Sequence, residues 1–181
     1  MSESGANGGA PAWRPDRFDR RRPYLAARGR ILKAVRAWFD AEGFTEVETP
    51  VLQVSPGMEP NLDPFVTELR EPDGRTRAMG LHTSPEFAMK KLLAAGAGPI
   101  YQIARVFRNG ERSATHHPEF AMLEWYRPGA GWRQGAADSL ALVRVAIEAA
   151  APLCPAGGFD GRADAEWLSV AEAFERARIV A

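Results

Sequence analysis

The sequence predicts an α+β domain in which an antiparallel sheet is flanked by helices. Three observations predict it. Residues 100–108 and 120–126 are rich in β-branched and aromatic side chains and are joined by the polar, turn-like NGERSATHHP, so they form a hairpin. Residues 65–69 and 76–82 flank Asp73-Gly74, a second hairpin signal. Residues 24–42 place apolar side chains at helical rather than alternating spacing.

A chain of 181 residues suits one domain with a real core. Lys+Arg and Asp+Glu are both 23, so the net charge is zero. That balance argues against a broad nucleic-acid footprint, leaving only local patches. Cys154 is the single cysteine, which excludes an internal disulfide framework and fits a reducing cytoplasm. Residues 1–23 lack the apolar core of a signal peptide. The most apolar runs are broken by Gly96, Gly98 and Pro99, or by Arg144 and Glu148, so no membrane span is expected.

Residues 1–23 begin Gly-, Ala- and Ser-rich and end in RPDRFDRRRP, which predicts a disordered leader. Its arginine cluster could alternatively touch RNA or an acidic partner. In the helix at 24–42, Leu25, Ile31, Leu32, Val35, Trp38 and Phe39 share a face, and Gly43 stops it. Residues 44–47 read as a short strand ended by Pro50. Residues 54–64 are a Pro/Gly/Asn loop before the first hairpin.

Next, Ser84 is a good N-cap, Pro85 suits the first helical position, Glu86 favours the dipole, and Gly96 or Gly98 ends the helix. Residues 135–151 form an Ala/Leu/Val helix stopped by Pro152. Residues 154–166 are a loop, and Ser169 with Glu172 forms a capping box for a last helix to about Arg178.

Strand period 2 places Gln102, Ala104, Val106 and Arg108 on one face of the long hairpin, with Phe120, Met122, Glu124 and Tyr126 together on the other strand. Core strands seldom present Arg and Glu inward unless these are paired or bind something. His116, His117 and Glu119 raise a metal site. Adjacent histidines on an extended chain point apart, however, so no protein-bound metal is expected. No Gly-rich phosphate loop exists, which leaves any nucleotide to a sheet and its arginines.

Phe107, Arg108, His116, Phe120 and Glu124 resemble motif 2 of the class II aminoacyl-tRNA synthetases: Phe-Arg-x-Glu, a variable loop, Arg or His, then Phe and an acid at intervals. The chain is similar to the lysyl branch. Within it, Leu123 to Pro128 (LEWYRP) and the serine before Pro85 resemble the paralogues that attach β-lysine to elongation factor P. Gly110 stands where motif 2 has its first acid, and Glu111 follows one place later. Helix, Gly43, strand and Pro50 resemble motif 1, the dimer-forming element of that family.

The resemblance implies ATP-dependent activation of lysine or β-lysine as an adenylate, then transfer to a lysine of elongation factor P. Arg108 would be the catalytic residue, clamping the α-phosphate. Glu111, His116 and Phe120 would complete the ATP site. Ser84 and Glu86 would meet the substrate amino group, and Glu124 and Tyr126 its side-chain ammonium. Magnesium would arrive with ATP. The implied assembly is a cytoplasmic homodimer without tRNA or membrane.

Motif 3 is not found: Ser169, Ala171 and Ala173 stand where its glycines belong, before Glu175-Arg176. Residues 24–181 are thus expected to be a truncated catalytic domain, inactive alone, with no room before it for an anticodon-binding OB-fold. A lysyl-tRNA synthetase proper, or a non-catalytic synthetase-like binding or dimerisation module, are the alternatives.

Overall fold

The computed structural model describes residues 14–153 and 165–177. Residues 1–13, residues 154–164 with Cys154, and residues 178–181 lie outside the described part, and so do the expectations that fall on them. Two compact units divide the chain, one made of Met1–Trp38 with Ala136–Ala181, the other of Phe39–Gly135.

The second unit holds two sheets. Strands β1 (Thr45–Glu46), β5 (Ile100–Phe107) and β6 (Glu119–Tyr126) are ordered β1-β5-β6. Strands β2 (Leu52–Gln53), β3 (Val66–Arg70) and β4 (Thr76–Leu81) are ordered β2-β4-β3. Both expected hairpins form, β3–β4 and β5–β6, and both are antiparallel. The turn between β3 and β4 uses Gly74 at φ 86°, the left-handed conformation glycine adopts freely. Two pairings depart from expectation. The strand after Gly43 joins β5 in parallel, and β2, too short for a periodic signal, pairs antiparallel with β4.

The β5–β6 register decides which side chains share a face. Gln102 pairs with Glu124, Ala104 with Met122 and Val106 with Phe120, as period 2 requires. One residue out of phase, Tyr101 opposes Trp125 on the other face. There Phe39 stacks on Tyr101 at 4.1 Å and 9°, and Phe44 meets Phe39 edge-on at 5.0 Å. Phe39, Tyr101, Ile100, Val106 and Met89 are all fully buried. Each such side chain contributes about 1.5–3 kcal/mol on leaving water.

Helix α1 (Pro15–Ala41) starts earlier than expected. The stretch from Pro15 to Pro23, expected to be disordered, is helical, with Asp16 in the first turn and an Asp19–Arg22 pair at 2.7 Å. Pro23 costs it one backbone bond without ending it. At the other end Phe44 N–H donates to Phe39 C=O and Gly43 N–H to Asp40 C=O, a Schellman stop with Gly43 at φ 77°. Helix α2 (Glu86–Ala94) ends in the same way at Gly96, so Gly96 rather than Gly98 is the stop.

Helices α3 (Trp132–Ala150) and α4 (Val170–Arg176) belong mostly to the first unit. Helix α3 begins before the expected residue 135. The capping box on α4 forms in both directions, with Ser169 accepting from Glu172 N–H and the Glu172 carboxylate accepting from Ser169 N–H. Among the described residues no helix is long and apolar enough to cross a membrane.

Candidate active site

The candidate site stands where β4 runs into α2, against the face of the long hairpin that carries Gln102 and Glu124. Backbone bonds pin this junction. His82 N–H donates to Val51 C=O, Thr83 N–H to Pro56 C=O, and Phe107 N–H to His82 C=O. A Cβ on Gly57 would come within 2.7 Å of Thr83 Oγ1, and one on Gly80 within 2.5 Å of Pro56 Cγ, so the loop after β2 fits only with glycine at both places.

Pro85, not Ser84, occupies the N-cap position of α2. The Ser84 hydroxyl accepts the Glu86 N–H at 3.0 Å and donates to Glu124 Oε1. Tyr126 Oη donates to Glu124 Oε2 at 2.9 Å. Ser84, Glu86, Glu124 and Tyr126 therefore form one cluster, in which a half-buried carboxylate is gripped by two hydroxyls. Burial, then the bond to Glu124 and the charges of Glu124 and Glu86, push the Tyr126 phenol well above its ordinary range. Glu86 itself pairs with Lys90, one turn along α2, at 2.5 Å.

Arg108 follows directly on β5. Its Nε donates to Thr83 C=O at 3.4 Å, its guanidinium lies 5.2 Å from the Phe120 ring centre, and Glu111 is 3.9 Å from its Nη1. Nε makes the one hydrogen bond and Nη1 faces the Glu111 carboxylate without one, so the guanidinium keeps N–H donors for an anion. Arg108, Glu111 and Phe120 are thus brought together. His116 is not brought with them. Its Nδ1 lies 2.9 Å from Ser113 Oγ and 3.1 Å from Thr115 Oγ1, all inside an exposed turn. His117 Nδ1 is taken up by the backbone of Glu119 at 2.9 Å. No group of three His, Cys, Asp or Glu side chains that could hold a metal occurs among the described residues.

Sequence reasoning missed the support behind this cluster. Thr49 donates to Gln102 Oε1 at 3.0 Å, both residues buried, and Gln102 is the cross-strand partner of Glu124. Period 2 puts Gln102 on that face but gives no sign that Thr49 reaches it.

A family model described as "tRNA synthetases class II (D, K and N)" matches residues 16–133. The chain belongs to this family. The family is one of ATP-dependent ligases, and the sheet, the hairpin arginine and the flanking helices fit its catalytic fold. The chain is 50% identical over 105 residues to an elongation factor P–(R)-β-lysine ligase of Haemophilus influenzae strain PittGG, covering 58% of this chain and 32% of that protein. The same identity and coverage hold for the ligase of that description from Mannheimia succiniciproducens. For the one from Enterobacter sp. strain 638 the identity is 47% over 108 residues, covering 59% and 33%. The matched part of the chain thus spans about a third of these class II relatives.

Proposed function

We propose that this chain supplies the amino-acid pocket and the α-phosphate arginine of a ligase that activates lysine or β-lysine with ATP and transfers it to a lysine of elongation factor P. The observation that carries the proposal is the Glu124 carboxylate held between Ser84 and Tyr126 on a largely apolar hairpin face. A desolvated ammonium needs such a partner, and a carboxylate positioned by neutral hydroxyls supplies it. Likeness to the β-lysine ligases in the same segment supports the same substrate class.

In the first step the substrate carboxylate attacks the α-phosphorus of ATP and pyrophosphate leaves. No general base is needed, because the nucleophile is already an anion. Arg108 would bind the α-phosphate oxygens through its Nη donors and offset the charge that builds there. Phe120 and Glu111 hold that guanidinium in place. His116 would meet ATP from the exposed turn in which Ser113 and Thr115 engage its Nδ1. Magnesium would be held by the phosphates and water, with Glu111 the nearest carboxylate to Arg108. Glu86 would receive the substrate amino group, exchanging Lys90 for it, and Glu124 with Tyr126 the side-chain ammonium. In the second step the acceptor lysine amine attacks the adenylate carbonyl and AMP leaves. A homodimer through the α1–β1 segment, and independence from tRNA, belong to the same proposal.

The test is calorimetric binding of lysine, (R)-β-lysine and norleucine to the chain, with mass analysis of elongation factor P after incubation with a chimaera in which this chain replaces the matching segment of the Haemophilus relative. Binding of both lysines over norleucine and a mass gain on the acceptor are expected. Equal binding of norleucine would remove the ammonium site, and an unmodified acceptor would remove the transfer.

A further inference from the structure

The proposed chemistry leaves the ring of His82 without a task, although it is only 1% exposed at the junction of β4 and α2. Its Nε2 lies 2.7 Å from Arg105 C=O on β5. A carbonyl oxygen only accepts, so Nε2 carries the proton and Nδ1 is the bare nitrogen. That Nδ1 is buried and has no partner among the described residues. A leucine or a phenylalanine would fill the same space without leaving a nitrogen unsatisfied. The bond to Arg105 is therefore what a histidine adds at this place.

The edge of β5 shows what that bond is for. Near its start, where β1 runs alongside, Thr45 and Val47 N–H donate to Pro99 and Tyr101 C=O. Strand β1 ends at Glu46, and backbone groups two residues apart in a strand point to the same side. Further along that edge His82 takes the place of a strand. Its ring donates to Arg105 C=O, and its own C=O accepts from Phe107 N–H at 3.1 Å. One residue thus closes the last stretch of β5 before Arg108. The residues that follow it engage both halves of the site, since Thr83 C=O accepts from Arg108 Nε and Ser84 donates to Glu124.

We propose that His82 is a positioning residue whose ring sets Arg108 relative to the Ser84–Glu124 pair, as attack of the substrate carboxylate on the α-phosphorus requires. This role rests on the function proposed above. Reacting atoms must stand about 3–3.5 Å apart, and an error of about 1 Å can cost about a hundredfold. Backbone bonds from His82 to Val51 and from Thr83 to Pro56 keep the Ser84 side in place when the ring is lost. Lysine, which meets that side alone, should not sense the ring, whereas a ligand spanning both halves should.

The experiment is calorimetry on the whole chain with two ligands, lysine and a lysyl sulfamoyl adenosine whose sulfamoyl group stands for the α-phosphate. The parent should bind the adenylate mimic more tightly than lysine. His82→Leu should keep its lysine affinity within about threefold and lose about tenfold or more for the mimic. His82→Gln can put an amide N–H near the Nε2 position and should recover most of that loss. His82→Asn is one methylene shorter and should not. The Gln–Asn contrast decides the matter if circular dichroism shows that His82→Leu does not fold, and a role in packing alone would not produce it. Long-range proton–nitrogen NMR on the parent should show the proton of His82 on Nε2. The proposal is overturned if that proton sits on Nδ1, or if the parent binds both ligands while His82→Asn keeps the parent's affinity for the mimic. It is equally overturned if the Gln and Asn variants weaken both ligands alike. A parent that binds neither ligand removes the proposed function together with this role, whereas binding of both that ignores residue 82 removes this role alone.

Discussion

The Ser84 hydroxyl donates to the carboxylate of Glu124, joining two residues that lie 40 apart in the sequence. The same oxygen accepts the Glu86 N–H, so one hydroxyl ties the start of α2 to the far strand of the hairpin. Any change at one end of this link is felt at the other, and the predictions begin there.

Glu124→Gln removes the charge and keeps the shape. A lysine ammonium in the pocket would then be unpaired, which should cost about 2–5 kcal/mol in binding either lysine. ATP binding should change little, because Arg108 and Phe120 are untouched. Calorimetry with each ligand checks this, and an intact lysine preference in the variant would show that the pocket is elsewhere.

Ser84→Ala deletes a donor to Glu124 and an acceptor for Glu86 N–H together. Stability should fall by about 1–3 kcal/mol in urea unfolding. If the hydroxyl also sets the position of the substrate amino group, the ratio of β-lysine to α-lysine binding should drop by about 1–2 kcal/mol. A fall in stability with no change in that ratio would limit Ser84 to holding Glu124.

Tyr126 ionises above a free phenol because burial and the Glu124 charge disfavour the phenolate. With the folded value above the unfolded one, its stabilising contribution is complete below about pH 10 and is lost as the pH rises through the folded value. Tyr126→Phe should therefore lose less stability than the parent between pH 10 and 12. Ultraviolet difference titration of the two proteins should show one late-ionising phenol, and superimposable alkaline stability curves would contradict its placement.

Phe39→Ala should destabilise the Phe39–Gly135 unit by about 3–5 kcal/mol, since the ring is fully buried and stacked on Tyr101. Phe39→Leu should cost clearly less. Thermal unfolding of the two variants measures the difference, and equal losses would mean that filling the space does not matter there.

Much of this was legible in the sequence because the signals are local. Alternation alone separates the Tyr101–Trp125 face of the hairpin from the Gln102–Glu124 face, and glycine's access to positive φ ends α1 at Gly43 and α2 at Gly96. The arginine-rich start of α1 was misjudged for the opposite reason. Composition pointed to disorder, while Asp16 in the first turn and the Asp19–Arg22 pair one turn apart favour helix.

What only the tertiary structure decided is which of these faces meet. The β-pattern of residues 44–47 says nothing about its partner, and a parallel pairing with β5 depends on where the intervening 50-odd residues of hairpin and helix return the chain. Period 2 offers Glu124 and Tyr126 to a pocket, but the grip of Ser84 on that acid, and of Thr83 on Arg108, requires the β4–α2 junction to be held against the hairpin, as the Phe107 N–H bond to His82 C=O does. His116 shows the converse, since its spacing from Arg108 suggests a shared ligand while Ser113 and Thr115 engage it in their own turn. Spacing along a chain orders side chains within one element, whereas contact between elements is set by the register and packing of everything between them.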